Sequence, residues 1–158
     1  MTFTEVENTV IKAITLLAKN TKLTEGINID LLVKHMITIA YQESKFNNKA
    51  KNKNSSAAGL YQILKNTQTD IENRILKIEN AERSKIYESQ YSSYLATAYF
   101  CYQLKRYNLD FKKGIIAYNL GSWKNQENTD YSKIHYKYYA ELFKSNTNDL
   151  AKLGKNYK

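Results

Sequence analysis

A chain of 158 residues with no proline and only five glycines has few ways to stop a helix once it has started. Proline removes a backbone donor and clashes with the preceding turn, and glycine weakens helix interiors through its entropy. Where both are scarce, helices are written mainly by hydrophobic period. Over residues 4–19, Val6, Val10, Ile14 and Leu17 recur at helical spacing and predict a first helix. A second is predicted from Leu31 to Ser44, with Asp30 as its N-cap. Leu32, Met36, Ile39 and Glu43 share one face of it, which is apolar until its last member, a carboxylate. Residues 46–58 are polar and rich in Asn, Lys and Ser, and read as loop. A short helix is expected after Gly59 and another over 68–79. Residues 90–107 place Tyr91, Leu95, Ala98 and Tyr102 on one helical face. Residues 111–120 form a short apolar helix that ends at Gly121, a natural C-cap. A Tyr-rich last helix is predicted over 130–144, followed by a polar, frayed tail from Asn146. With no repeat, linker or shift in composition, the expectation is an all-α fold and a single domain over residues 1–158.

Composition bounds the function. Lys and Arg outnumber Asp and Glu by 24 to 15, a formal charge of +9. A basic surface suits an anionic partner such as nucleic acid, a membrane surface or an acidic wall polymer. The lysines are scattered, however, and only Lys133, Lys137 and Lys144 trace a faint basic helix face, so a nucleic-acid partner is not expected. Cys101 is the only cysteine, which excludes an internal disulfide, and its apolar surroundings predict a buried, inert thiol. His35 and His135 stand apart from any metal-ligand spacing and read as structural. The first ten residues carry two acids, and Lys12 interrupts the next apolar run, which is unlike a secretory signal. No apolar run is long enough for a bilayer, so membrane insertion is not expected.

Three short segments carry the chemistry. They are Ala40-Tyr41-Gln42-Glu43-Ser44-Lys45-Phe46-Asn47, then Ala57-Ala58-Gly59-Leu60-Tyr61-Gln62-Ile63, then Ile116-Ala117-Tyr118-Asn119-Leu120-Gly121. In combination and in order they resemble the lytic transglycosylase family with the goose-type lysozyme fold. That family shows Glu-Ser followed by Phe-Asn, a Gly-Leu-x-Gln-Ile block, and Ala-Tyr-Asn-x-Gly. A Tyr at the start of the last helix is matched by Tyr131. The resemblance covers roughly residues 30–142. It departs in the loop Asn52-Lys53-Asn54-Ser55-Ser56-Ala57, where Ser56 stands in place of the usual Gly and the loop is one residue longer.

The resemblance implies a lysozyme-like helical domain with its active-site cleft between helical lobes, acting on the glycan strands of peptidoglycan. Glu43 would be the catalytic acid/base. Gln62 would bond the sugar or its N-acetyl group, and Gly59 would let the backbone turn closely beneath the substrate. Tyr118 would orient Glu43 while Asn119 braces the same wall. Tyr61 would line the cleft, Ser44 would brace the helix end, and Tyr131 would complete the site. Ser44 has no neighbouring His to activate it as a nucleophile.

The residues suit this chemistry by themselves. Cleaving a glycosidic bond needs a proton donor for the leaving oxygen, and a carboxyl serves near neutral pH only when its pKa is raised. Glu43 is predicted at the C-terminal end of an apolar-faced helix, where burial and the negative end of the helix dipole both disfavour its charge. Hydrolytic glycosidases normally add a second carboxylate. The stretch from Phe46 to Gln62 contains none, and Asp70 and Glu72 fall in an expected surface helix. A single carboxyl acting twice, as the family resemblance implies, would yield a 1,6-anhydro sugar, the transglycosylase outcome. The alternatives are a hydrolytic lysozyme on the same fold and a catalytically silent peptidoglycan-binding module. No cofactor or metal is implied, and a monomer is the default. The setting that fits best is a bacteriophage lysin, held in the host cytoplasm until released to the wall or carried in the virion.

Overall fold

The structure is a computed structural model that describes residues 1–79 and 81–143. Lys144 and the tail from Asn146 lie outside the described residues. The elements in order are α1 (Phe3–Asn20), α2 (Ile29–Ser44), α3 (Lys65–Asp70), a π-helical turn (Ile71–Ile75), a 3-10 turn (Arg83–Tyr87), α4 (Ser89–Arg106), α5 (Phe111–Leu120) and α6 (Asp130–Phe143). The described residues are thus all-α, with isolated β-bridges at Lys51–Ala58 and Ala58–Ile63 as their only extended pairing. None of the described helices is long and apolar enough to cross a membrane. The chain divides into two compact units, residues 1–99 and the chain from Phe100 onward, and α4 begins in the first and ends in the second.

In the first unit, Thr2 and Glu5 form a reciprocal capping box that starts α1. Val6, Val10, Ile14 and Leu17 are all buried, as their spacing predicts, and α1 packs on α2. Helix α2 is capped by Asn28, whose Oδ1 accepts from the Leu31 N–H at 3.2 Å. This corrects the expectation for Asp30, which lies inside the first turn and pairs with Lys34 at 3.1 Å. Asp30 still complements the positive end of the helix, but without capping it. Leu32, Met36 and Ile39 are fully buried, while Glu43 on the same face is half-buried. His35 is enclosed in this core, and its burial drives the imidazole pKa down to about 3. It is neutral at ordinary pH, a packing residue as expected. Leu95 and Ala98 of α4 are buried too, and Gln90 of α4 donates to Thr9 O at 3.1 Å, tying α4 to α1.

The single helix expected over 68–79 is two pieces, α3 and then the π turn. The break serves packing. The wider π turn places both Ile71 and Glu72 inside, although they are adjacent in sequence.

The second unit is built on the end of α4. Phe100, Cys101 and Leu104 are buried there, and burial pushes the Cys101 thiol up to about 12, so it is inert. Asp110 caps α5, accepting from the Lys113 N–H at 3.1 Å. Phe111, Ile115, Ile116 and Ala117 face the interior. Gly114 permits close packing, since a Cβ there would meet the Leu104 side chain at 2.6 Å. Helix α6 packs on α5 and contributes Ser132, His135 and Tyr139 to the buried side.

Candidate active site

Glu43 sits in the last turn of α2. The helix ends in two consecutive left-handed residues, Lys45 (φ 52°) and Phe46 (φ 65°), neither of them glycine. The Lys45 N–H closes the final turn on Tyr41 O at 2.8 Å. The Phe46 ring turns inward, edge-on to Tyr41 at 5.2 Å and to Phe3 at 6.4 Å. Burial of that ring, 8% exposed, offsets the unfavourable backbone and sets where the carboxylate-bearing turn stops.

Ser44 braces the end of α2. Its Oγ donates to Leu60 O at 2.7 Å, with Ala40 O at 3.1 Å as the second acceptor. Leu60 belongs to the second sequence block, so one hydroxyl ties the end of α2 to the turn that carries Gln62. That turn is a small hairpin and not the short helix expected after Gly59. Ala58 and Ile63 exchange backbone bonds (Ala58 N–H to Ile63 O, 3.3 Å; Ile63 N–H to Ala58 O, 3.1 Å). Gly59 (φ 81°) and Gln62 (φ 48°) reverse the chain between them, and two left-handed residues in four cannot continue a helix.

Gln62 is half-buried and its amide is aimed by the hairpin itself. Nε2 donates to Ala50 O at 3.1 Å and to Gly59 O at 2.9 Å. Both amide hydrogens are thereby used, and the side chain's remaining capacity is as an acceptor, through Oε1. Gly59 is required for a different reason from the one expected. An added Cβ would lie 2.3 Å from Ile86 O, so the close approach is to the chain's own backbone. Tyr61 is also corrected. It is 1% exposed and belongs to the core, so it does not line a substrate surface. Its hydroxyl is buried beside Ser93, and desolvation raises its pKa.

A polar network absent from the sequence reading supports this hairpin. Arg83 donates from Nη2 to Ser56 O and to Ile63 O (2.9 Å for the latter), clasping both sides of the hairpin. Its Nη1 also donates to Gln68 Oε1. Gln68 Nε2 in turn donates to Glu72 Oε2 at 3.1 Å, and the Tyr91 hydroxyl donates to the same oxygen. Glu72 is therefore not the surface residue expected; it is 5% exposed and held by two donors. Asp70 does lie at the surface, paired with Arg74 at 2.8 Å. The four-residue step from Gln68 to Glu72 was the available signal, but nothing local marked Arg83 as their partner.

In the second unit, Tyr118 is half-buried on α5 with its ring edge-on to Phe100 at 6.1 Å, and Asn119 follows it exposed. Tyr131 is half-buried in the first turn of α6. Gly121 ends α5 in the left-handed conformation (φ 84°), as its sequence position predicts. Among the described residues no group of His, Cys, Asp and Glu is arranged to hold a metal ion.

The chain matches the Transglycosylase SLT domain over residues 17–140, from the end of α1 into α6. It belongs to that family. The match takes in all three sequence blocks and makes the protein a peptidoglycan lytic transglycosylase. No curated protein and no solved structure matches the chain. Within the transglycosylase domain, the structure joins the first two blocks through the Ser44–Leu60 bond. It seats the third on α5 of the second unit.

Proposed function

We propose that Glu43 is the single general acid/base of this transglycosylase and that the reaction ends in a 1,6-anhydro ring. The observation that carries the reading is the Ser44 bond to Leu60 O, which holds the Glu43 turn against the Gln62 hairpin. A proton donor and an acceptor for substrate N–H or O–H groups are thus set on one braced element pair. Glu43 protonates the glycosidic oxygen as the bond from C1 of N-acetylmuramic acid to the leaving N-acetylglucosamine breaks. The muramic 6-hydroxyl then attacks C1 and gives its proton to the Glu43 carboxylate. Glu43 ends the cycle protonated, and no water is consumed. The lack of any Asp or Glu between Phe46 and Gln62 supports this over hydrolysis, which calls for a second carboxylate to activate water. Glu72 is committed to Tyr91 and Gln68 and supplies no free base.

The reading extends to a bacteriophage-type lysin that waits in the host cytoplasm and acts on the wall after release. In that setting the +9 charge would favour approach to anionic wall polymers. Digestion of purified peptidoglycan, with products identified by mass spectrometry, tests the chemistry. Anhydro-muramic ends are expected, and Glu43→Gln is expected to slow their release by about 10²-fold or more. Reducing ends would assign a hydrolase, and unchanged release by Glu43→Gln would remove Glu43 from the mechanism.

A further inference from the structure

Trp123 is the only tryptophan in the chain and takes no part in the site described above. It lies in the segment between α5 and α6, within the second unit. Its backbone N–H donates to the Tyr107 hydroxyl at 2.9 Å, and its indole Nε1 donates to Gln126 O at 2.6 Å. The Tyr107 ring stands edge-on to it at 6.0 Å. The indole is held by its Nε1 bond and by the Tyr107 ring, yet the residue is only half-buried. A side chain so firmly aimed and left partly open is a platform.

The ring forms one wall of an indentation of about 230 Å³. Asp110, Lys112, Lys113, Ile116, Asn125 and Glu127 complete its lining, together with Gln126. Lys113 Nζ rests 4.1 Å from the indole centroid. Lys124 and Asn125 hold φ of 53° and 54°, a left-handed pair that turns the segment beside the ring.

We propose that this indentation is a saccharide subsite that binds one N-acetylhexosamine ring of the glycan strand. The inference rests on the peptidoglycan-cleaving reading for its ligand. A pyranose offers a flat C–H face to an aromatic ring and a rim of hydroxyl and amide groups. Here the indole supplies the flat face, and Asn125, Gln126 and Glu127 supply donors and acceptors around it. The Lys113 ammonium sits on a flexible stem, so it swings aside and donates to ring hydroxyls. The two carboxylates of the lining, Asp110 and Glu127, are matched by the ammonium groups of Lys112 and Lys113, a balance that suits a neutral sugar ring. The volume lies below the roughly 300–1,000 Å³ of sites for drug-sized ligands, which suits one ring and not several.

The lone tryptophan gives a direct readout. In Glu43→Gln protein, titration with tri-N-acetylchitotriose, a peptide-free β-1,4 trimer of N-acetylglucosamine, is expected to produce a saturable change in tryptophan fluorescence. Adding Glu127→Gln, an exposed position, is expected to raise the midpoint about tenfold, as loss of a charged hydrogen-bond acceptor does. In the active enzyme, Glu127→Gln and Trp123→Phe are expected to raise KM for peptidoglycan several-fold with kcat nearly unchanged, the signature of lost uniform binding. Should Trp123→Phe fail to fold, Glu127→Gln carries the test alone. A flat titration in a protein that cuts peptidoglycan through Glu43 overturns the subsite and leaves the catalytic reading standing. A response indifferent to Glu127→Gln overturns it as well, since the indole would then be sensing a sugar bound elsewhere. A Glu127-sensitive response without Glu43-dependent cleavage keeps the subsite and removes the catalytic reading.

Discussion

Helices α2 and α5 both end in a left-handed residue, and they reach it by opposite routes. Helix α5 uses Gly121, at φ 84°, where a Cβ would meet nothing within 4 Å. Its stop is local and needs no help. Helix α2 uses Lys45 followed by Phe46, both at positive φ and both carrying full side chains. Its stop is imposed from outside, by the Phe46 ring packed against Tyr41 and Phe3 and by the Ser44 bond to Leu60 O. The helix end that carries Glu43 is thus the one held by distant parts of the chain. A glycine stop is easy to form but leaves the chain beyond it free to vary. A strained stop held by packing persists only in the native arrangement, which is what a positioned acid requires.

The comparison can be broken by substitution. The largest effect is expected for Phe46→Ala, which removes the buried ring while keeping the strained backbone. It should cost about 3 kcal/mol in denaturant unfolding and lower peptidoglycan cleavage per folded molecule. A loss under about 1 kcal/mol would mean that the Ser44–Leu60 bond alone holds the end of α2. Gly121→Ala should cost about 1–2 kcal/mol, purely from the left-handed backbone, because no atom stands in the way of the new methyl. Thermal melts that show no change would contradict a local stop for α5. The smallest effect is expected for Lys45→Gly. Glycine relieves the strain, but the substitution removes the Lys45 ammonium from above the Tyr41 ring, 4.4 Å away, and loosens the unfolded chain. These contributions oppose each other, so unfolding should shift by less than about 0.5 kcal/mol in either direction. A clear gain in stability would show that the cation contributes little.

The helices themselves were legible in the sequence. Val6, Val10, Ile14 and Leu17 are all buried, as are Leu32, Met36 and Ile39, because a helical period admits one inward face once proline and glycine are scarce. The burial of Cys101 followed from its apolar neighbourhood. The pairing of Glu43 with the Gln62 block was legible only as a resemblance of short motifs. Its physical basis, one serine hydroxyl reaching across from α2, was not. Where the sequence reading failed, a non-local contact intervened. The hairpin at Gly59–Gln62 replaces an expected helix because Ala58 and Ile63 pair and Arg83 clasps both sides. Glu72 is inside because a π turn and the Tyr91 hydroxyl receive it. Tyr61 is core because the hairpin points it inward, although its place in the motif suggested a substrate-facing wall.

Sequence alone determined the helical class, the inward faces of α1 and α2, and the glycine stop of α5. Each of these depends on residues a few positions apart, within reach of the 3.6-residue period or of a single backbone dihedral. Tertiary structure alone decided what holds the end of α2 in place, which polar groups of the 50–63 segment point inward, and that Glu72 and Arg83 belong to one network. It also decided that Trp123 is aimed and partly open. Those outcomes depend on groups such as Ser44 and Leu60, Gln68 and Arg83, or Tyr107 and Trp123, which hydrogen-bond only after folding has brought them together.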